Sequence, residues 1–160
     1  MSNKAQRELM EAFNRGIVQG VYVVTVKAGE KLNSMTAAWV SKVSHNPPMV
    51  MVSISPTHYT HDLIKEAGYF ALNTLAYGQE EVGRHFGFVS GRDVNKLEGM
   101  QYFEGESGAP ILTEAMAYLE CELSDTFTAG DHTLFVGKVI GGQVPNSSDI
   151  PLVFERADFF

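Results

Sequence analysis

The chain contains a single cysteine, Cys121, among its 160 residues. One thiol can neither close an intramolecular disulfide nor supply a multi-cysteine metal cluster. It alternates with Leu119 and Leu123, at the period of a strand, and reads as a small buried apolar residue. Basic residues are also scarce. Twelve Lys and Arg stand against 19 Asp and Glu, for a net charge of −7, and the basic ones form no run. Nucleic acid and anionic membranes both demand a basic footprint, so neither is an expected partner. No apolar run approaches the roughly 20 residues of a membrane helix. The opening Met1-Ser2-Asn3-Lys4-Ala5-Gln6-Arg7 lacks the apolar stretch of a signal peptide, which makes the cytoplasm the expected compartment. No Gly-x-Gly-x-x-Gly follows any strand-like run, which argues against a Rossmann dinucleotide site. A nucleophile elbow and a Ser-His-Asp pattern are missing too, which disfavours covalent hydrolysis. There is no repeat, linker or low-complexity tract.

What remains is a chain 44% hydrophobic, long enough for one domain with a real core, expected over residues 1–160. Leu9, Met10 and Phe13 sit at helical spacing over 4–14, with Gly16 as a stop. The Val/Tyr/Thr-rich run Ile17 to Val26 predicts a strand, and 34–44 a second one, ended by Asn46-Pro47-Pro48. Met49 to Ser55 alternates, with Val50, Val52 and Ile54 on one face and Met49, Met51, Ser53 and Ser55 on the other. A helix over Tyr59–Ala67 should turn Leu63, Ile64 and Ala67 inward and stop at Gly68. A strand at Tyr69–Leu75, a short helix at 79–87 and a Gly-rich irregular loop at 88–109 follow. A loop of that length in a compact domain is usually functional. Two long strands, Ala115–Phe127 and Thr133–Val144, pair across Ala129-Gly130-Asp131-His132, and Pro151–Phe154 reads as a last short strand. Six or seven strands without βαβ alternation predict a mainly β fold, a barrel with peripheral helices.

Three segments could cooperate. Asn33-Ser34-Met35-Thr36-Ala37-Ala38-Trp39 offers small side chains, Ser53 and Ser55 border the next strand, and Thr57-His58-Tyr59-Thr60-His61 opens a helix. Short side chains let a flat ring lie against the backbone, and free helix N–H groups attract phosphate. Together they suit a phosphorylated aromatic cofactor. Each residue also has a plainer reading. Thr57 and Thr60 could cap the helix, and phosphate contact uses the same geometry. His58 and His61 have the spacing of a metal pair but no third ligand, so no metal is expected. Trp39 reads as a core or dimer-contact residue, and Met35 equally as core or ring neighbour. Glu80, Glu81, Asp93, Glu104 and Glu106 form no pair and read as solvated surface.

These segments, with Pro47-Pro48, Gly68-x-Phe70-x-x-Asn73, Gly130-Asp131-His132-Thr133-Leu134-Phe135-Val136-Gly137 and Pro151-Leu152-Val153-Phe154, resemble the flavin reductase-like FMN-binding split-barrel family. The likeness runs from about Gly16 to Phe160. It implies a split β-barrel of Greek-key type and a homodimer holding one FMN per subunit near the subunit boundary. By position, Met35, Thr36, Ala37 and Ala38 would run under the isoalloxazine, and Ser53, Ile54 and Ser55 would flank it. Thr57, His58 and Thr60 would sit near the ribityl phosphate, Phe88, Ser90 and Arg92 would help close the site, and His132 would face the nicotinamide. The resemblance implies an oxidoreductase passing electrons from NAD(P)H through FMN to a flavin, ferric iron or a protein. The alternative is an electron carrier reduced by a protein donor, with no nicotinamide site of its own. Many family members carry Ser or Asn at Ala38 and several an arginine at His58-Tyr59, which makes Arg92 or Lys65 the expected source of positive charge here.

Overall fold

The computed structural model describes Met1–Phe160. The order is α1 (Asn3–Arg15), β1 (Tyr22–Ala28), β2 (Lys31–Ala37), β3 (Val40–His45), β4 (Pro48–Ile54), α2 (Tyr59–Ala67), β5 (Tyr69–Thr74), α3 (Glu80–Gly87), β6 (Tyr102–Glu104), β7 (Pro110–Leu112), β8 (Ala117–Ala129), β9 (His132–Gln143) and α4 (Arg156–Phe159). Seven strands form one antiparallel sheet in the order β2-β1-β5-β8-β9-β4-β3, and β6 and β7 pair separately. The fold is therefore mainly β with peripheral helices.

The sheet is not a closed barrel: β2 and β3 stand at its two ends, and no ladder joins them. Yet only Ala38 and Trp39 separate these strands in the chain. In a flat sheet, six interstrand steps of about 4.8 Å would hold them some 29 Å apart. Three Cα–Cα steps reach at most about 11 Å. The sheet must curl, and the core shows that it does. One cluster unites Val24 and Val26 of β1, Met35 and Ala37 of β2, Val50, Val52 and Ile54 of β4, Phe70 of β5 and Phe135 of β9. Leu63 and Ile64 of α2 plug the same interior. A second cluster lies on the other face, where Val21, Val23 and Leu75 pack against Phe86 of α3 and Phe159 of α4. Both faces of β1 are thus covered, which is why Val23, Val24, Thr25 and Val26 are all fully buried rather than alternately so.

Most expected elements are present, with shifted edges. Helix α1 starts at Ser2, whose Oγ accepts the Ala5 N–H at 3.2 Å, and Gly68 ends α2 at φ 73, donating to Ile64 O at 2.9 Å. A left-handed residue there costs glycine nothing. Strand β4 buries Val50, Val52 and Ile54 as the alternation requires, and Cys121 is fully buried. Burial, then the nearby Glu120 charge, pushes its thiol up to about 12, so it packs rather than reacts.

Five expectations need correction. The irregular loop expected over 88–109 is interrupted by β6, which pairs with β7. Ile17 and Val18 are exposed and precede the strand, because only Gly20 finds a bridge, to Val153. The expected strand at 34–44 is two strands, β2 beginning at Lys31 and the chain breaking at Ala38-Trp39 to change sheet ends. Pro151–Phe154 makes only the isolated bridges Ala76–Pro151 and Gly20–Val153, and the helix α4 after it was not anticipated. Trp39, expected in the core or at a dimer contact, is 41% exposed and therefore outside the core of the single chain.

Gly137 marks a tightly packed point of the sheet interior. A Cβ there would lie 2.6 Å from Phe70 Cζ and 2.8 Å from Cys121 Cβ, and both neighbours are fully buried. Gly137→Ala should therefore destabilise the protein by about 1–3 kcal/mol. Urea unfolding checks this, and an unchanged midpoint would show that the sheet can yield there.

Candidate functional site

The break between β2 and β3 opens onto a cavity of about 460 Å³, within the usual range for ligand sites. Its floor is Met35, Thr36, Ala37 and Ala38 at the end of β2, and Ser53, Ile54 and Ser55 at the end of β4 form one side. Thr36 is fixed by donating its Oγ1 proton to Gly83 O of α3 at 2.6 Å. The N–H groups of Ala38 and Trp39 donate to no protein acceptor, as expected where a strand leaves its ladder. The far wall is aromatic. Trp39 lies 4.7 Å from the His132 ring, tilted by 39°, and meets Phe13 of α1 edge-on at 6.4 Å. His132 Nδ1 is 2.7 Å from Asp131 Oδ1. That hydrogen bond, followed by the attraction of the imidazole, holds the Asp131 carboxyl below its ordinary range. Phe88, Phe154, Phe159 and Phe160 complete a lining suited to a flat ring.

A second cavity of about 300 Å³ adjoins the first, sharing Met35, Thr36, His58, Gly87 and Phe88. It lies at the N-terminus of α2 and is lined further by Asn33, Thr57, Thr60, Ser90, Gly91 and Lys96. The α2 N-cap is His58, whose side chain makes no capping bond, so the first N–H groups of the helix remain open. Thr57 is not the cap. Its Oγ1 is paired with Ser55 Oγ at 2.9 Å. Thr60 is fully buried, and its Oγ1 accepts from Asn33 Nδ2 at 2.9 Å, tying α2 to β2. His61 faces away, its Nε2 2.8 Å from Thr133 Oγ1 of β9.

The most informative residue here is one the sequence reading missed. Lys96 is only 6% exposed, and its Nζ donates to Ser34 O at 2.8 Å and to Phe86 O at 2.9 Å. An ammonium has three protons, and no salt bridge reaches this one. Burial lowers its pKa from 10.5 to about 8. His58 is lowered below 6.5, first by burial and then by the Lys96, His132, Arg92 and His61 charges. Not one Asp or Glu lines either cavity, in a protein whose net charge is −7. The site is built for an anion. Nothing in the local sequence Asn95-Lys96-Leu97 marks the lysine out; the unusual length of its loop was the available signal.

Of the residues expected at the site, Met35 to Ala38, Ser53 to Ser55, His58, Phe88 and His132 come together in the larger cavity, and Thr57, Thr60 and Ser90 in the smaller. Arg92 lies just outside, donating to Thr57 O at 3.1 Å with its guanidinium 5.0 Å over the Tyr59 ring. Lys65 does not take part: it is exposed on the last turn of α2 and lines neither cavity. The C-terminal residues Arg156, Phe159 and Phe160, which carry no sequence motif, do line the larger one.

A curled antiparallel sheet with a flat-ring cavity at its split and an anion pocket beside it defines a class of cofactor-binding oxidoreductase folds. Residues 13–160 match the flavin reductase-like domain, and the chain belongs to that family. The NADH:FAD oxidoreductase of Streptomyces globisporus superposes with a TM-score of 0.86 at 31% identity, over 97% of this chain and 92% of that one. An FMN-binding protein of Thermus thermophilus gives 0.78 at 37% identity, over 82% and 74%. The high molecular weight rubredoxin of Moorella thermoacetica is 35% identical over 131 residues, 80% of this chain and 57% of its own length. Across the curated relatives matched, the chain spans between 24% and 67% of their length.

A close approach to β2 adds to the bonds that seat the loop bearing Lys96. A Cβ on Gly91 would fall 1.8 Å from Asn33 Oδ1. Gly91→Ala should lift the loop from β2 and speed limited proteolysis within 88–101 at least several-fold, because cleavage tracks local opening. An unchanged cleavage pattern would mean that the loop is held elsewhere.

Proposed function

We propose that this protein is an FMN-dependent oxidoreductase that accepts electrons from NAD(P)H and passes them to a flavin, ferric iron or a protein acceptor. The observation that carries the reading is the junction of an apolar flat-ring cavity with a carboxylate-free pocket holding a buried, unpaired ammonium. That shape and charge fit a tricyclic ring with a monophosphate tail. A relative of known structure named as an FMN-binding protein supports FMN, whereas one named as an NADH:FAD oxidoreductase supports the nicotinamide donor. The bound flavin would supply the hydride and single-electron chemistry; the protein binds it and controls access.

The chain's own groups have definable tasks in this reading. Met35 to Ala38 carry the ring, and the open N–H groups of Ala38 and Trp39 are placed to stabilise negative charge at its polar edge. Thr57, His58, Thr60 and Ser90 surround the phosphate end, and Arg92 braces the α2 turn from behind. Phe88 closes the seam between ring and tail. His132, oriented by Asp131 and packed on Trp39, fronts the face where a nicotinamide would lie. Helix α1 buries none of its residues and leaves Leu9, Met10 and Phe13 about half exposed, which supports assembly as a homodimer. No helix is long and apolar enough to cross a membrane; the reading puts the protein in the cytoplasm.

Purified protein loaded with FMN should bleach in its visible band when NADH or NADPH is added without oxygen. His132→Ala should slow that oxidation by at least about 10-fold, equivalent to about 1.4 kcal/mol of lost positioning, with FMN retained. Persistent colour with both nicotinamides, but rapid bleaching by a reduced protein donor, would instead select the electron-carrier reading.

A further inference from the structure

We propose that Lys96 is the residue by which this protein distinguishes a phosphorylated flavin from an unphosphorylated one, its third N–H being reserved for the phosphate. The inference rests on the flavin reading and deepens it. Two features separate Lys96 from an ordinary structural lysine. Its ammonium is 6% exposed, yet both of its partners, Ser34 O and Phe86 O, are uncharged. A buried cation without an anion is costly. Moreover, it lines the pocket at the open end of α2, across from Thr57, His58 and Ser90, where a phosphate would meet both the ammonium and free helix N–H groups.

The two carbonyl bonds also have a plain role. Phe86 O belongs to the last turn of α3, which favours a cation, and Ser34 O belongs to β2, which ends the sheet. Lys96 could thus be only a bolt between helix and sheet. The two roles part on ligand discrimination: a bolt shapes the site for any flavin, whereas a phosphate partner matters only when phosphate is present.

Alkaline pH supplies an independent reading. The free ammonium titrates near 8, and a bound dianion would raise that value. Above about pH 7, where the phosphate is already a dianion, affinity for the phosphorylated flavin should therefore fall as the pH rises through about 8. The other titratable groups around the pocket are His58, Tyr59, His61 and Asp62 from α2, His85 from α3, and Arg92 and Asp93 from the loop itself; β2 presents none.

The test is fluorescence titration of the whole protein with FMN and with riboflavin, using wild type, Lys96→Met and Lys96→Gln. Both variants should lose roughly 10- to 100-fold in FMN affinity, the worth of one hydrogen bond to a charged group, with riboflavin affinity little changed. In wild type, the FMN-to-riboflavin affinity ratio should fall between pH 7.5 and pH 9.5, as roughly expected for one lysine. Equal losses for both ligands, or none for either, would overturn the proposal while leaving the flavin reading intact. Should the variants not fold, the wild-type ratio decides: constancy across that pH range overturns it. Wild type that binds neither ligand would defeat the underlying flavin reading as well.

Discussion

Two residues, Ala38 and Trp39, join the opposite ends of a seven-stranded sheet, and the rest of the molecule follows from that short tether. It forces the sheet to curl, which creates an interior for Val24, Val52, Phe70 and Phe135 to share. The tether does not close the sheet, because β2 and β3 diverge from it without forming a ladder. The split that results is lined by small side chains and by backbone that has left its hydrogen-bonded pairing. A cavity at this point is a consequence of topology before it is a matter of side-chain chemistry.

Electrostatics then separates the two ends of that cavity. The aromatic end is neutral and soft, whereas the end near α2 gathers imidazoles, an open helix terminus and a buried ammonium. With a net charge of −7, the long-range field of the protein repels anions. Short-range donors must overcome that field, and sequestering Lys96 from water makes its charge more effective than an exposed one. Burial first, and then this concentration of positive charge, depresses the pKa of His58.

Much of this was legible in the residues. The alternation of Val50, Val52 and Ile54 gave the inward face of β4, and Tyr59 to Gly68 read as a helix with both ends correctly set. The floor at Met35 to Ala38 was recognisable from small side chains next to Trp39. What escaped depends on distance in space. The split of 34–44 into two strands could not be read locally, because no Gly or Pro separates Ser34-Met35-Thr36-Ala37 from Val40-Ser41-Lys42-Val43. The aromatic C-terminus enters the site only through α4, four residues long. Lys96 escaped because it is buried between β2 and α3, through bonds to Ser34 O and Phe86 O that leave no periodic signature. Lys65 was the natural choice by proximity in sequence, and it points outward for the ordinary reason that helix surfaces favour lysine.

Helix α1 has no buried residue, so within one chain little beyond its Ser2 cap and local ion pairs holds it. An isolated helix of 13 residues is marginal in water. Its Phe13 nonetheless stands edge-on to Trp39 at the mouth of the larger cavity. The doorpost of the ligand chamber is thus the least anchored element of the subunit, and whatever steadies that helix, a second copy of the chain or the incoming ring itself, also sets how wide the entrance stands.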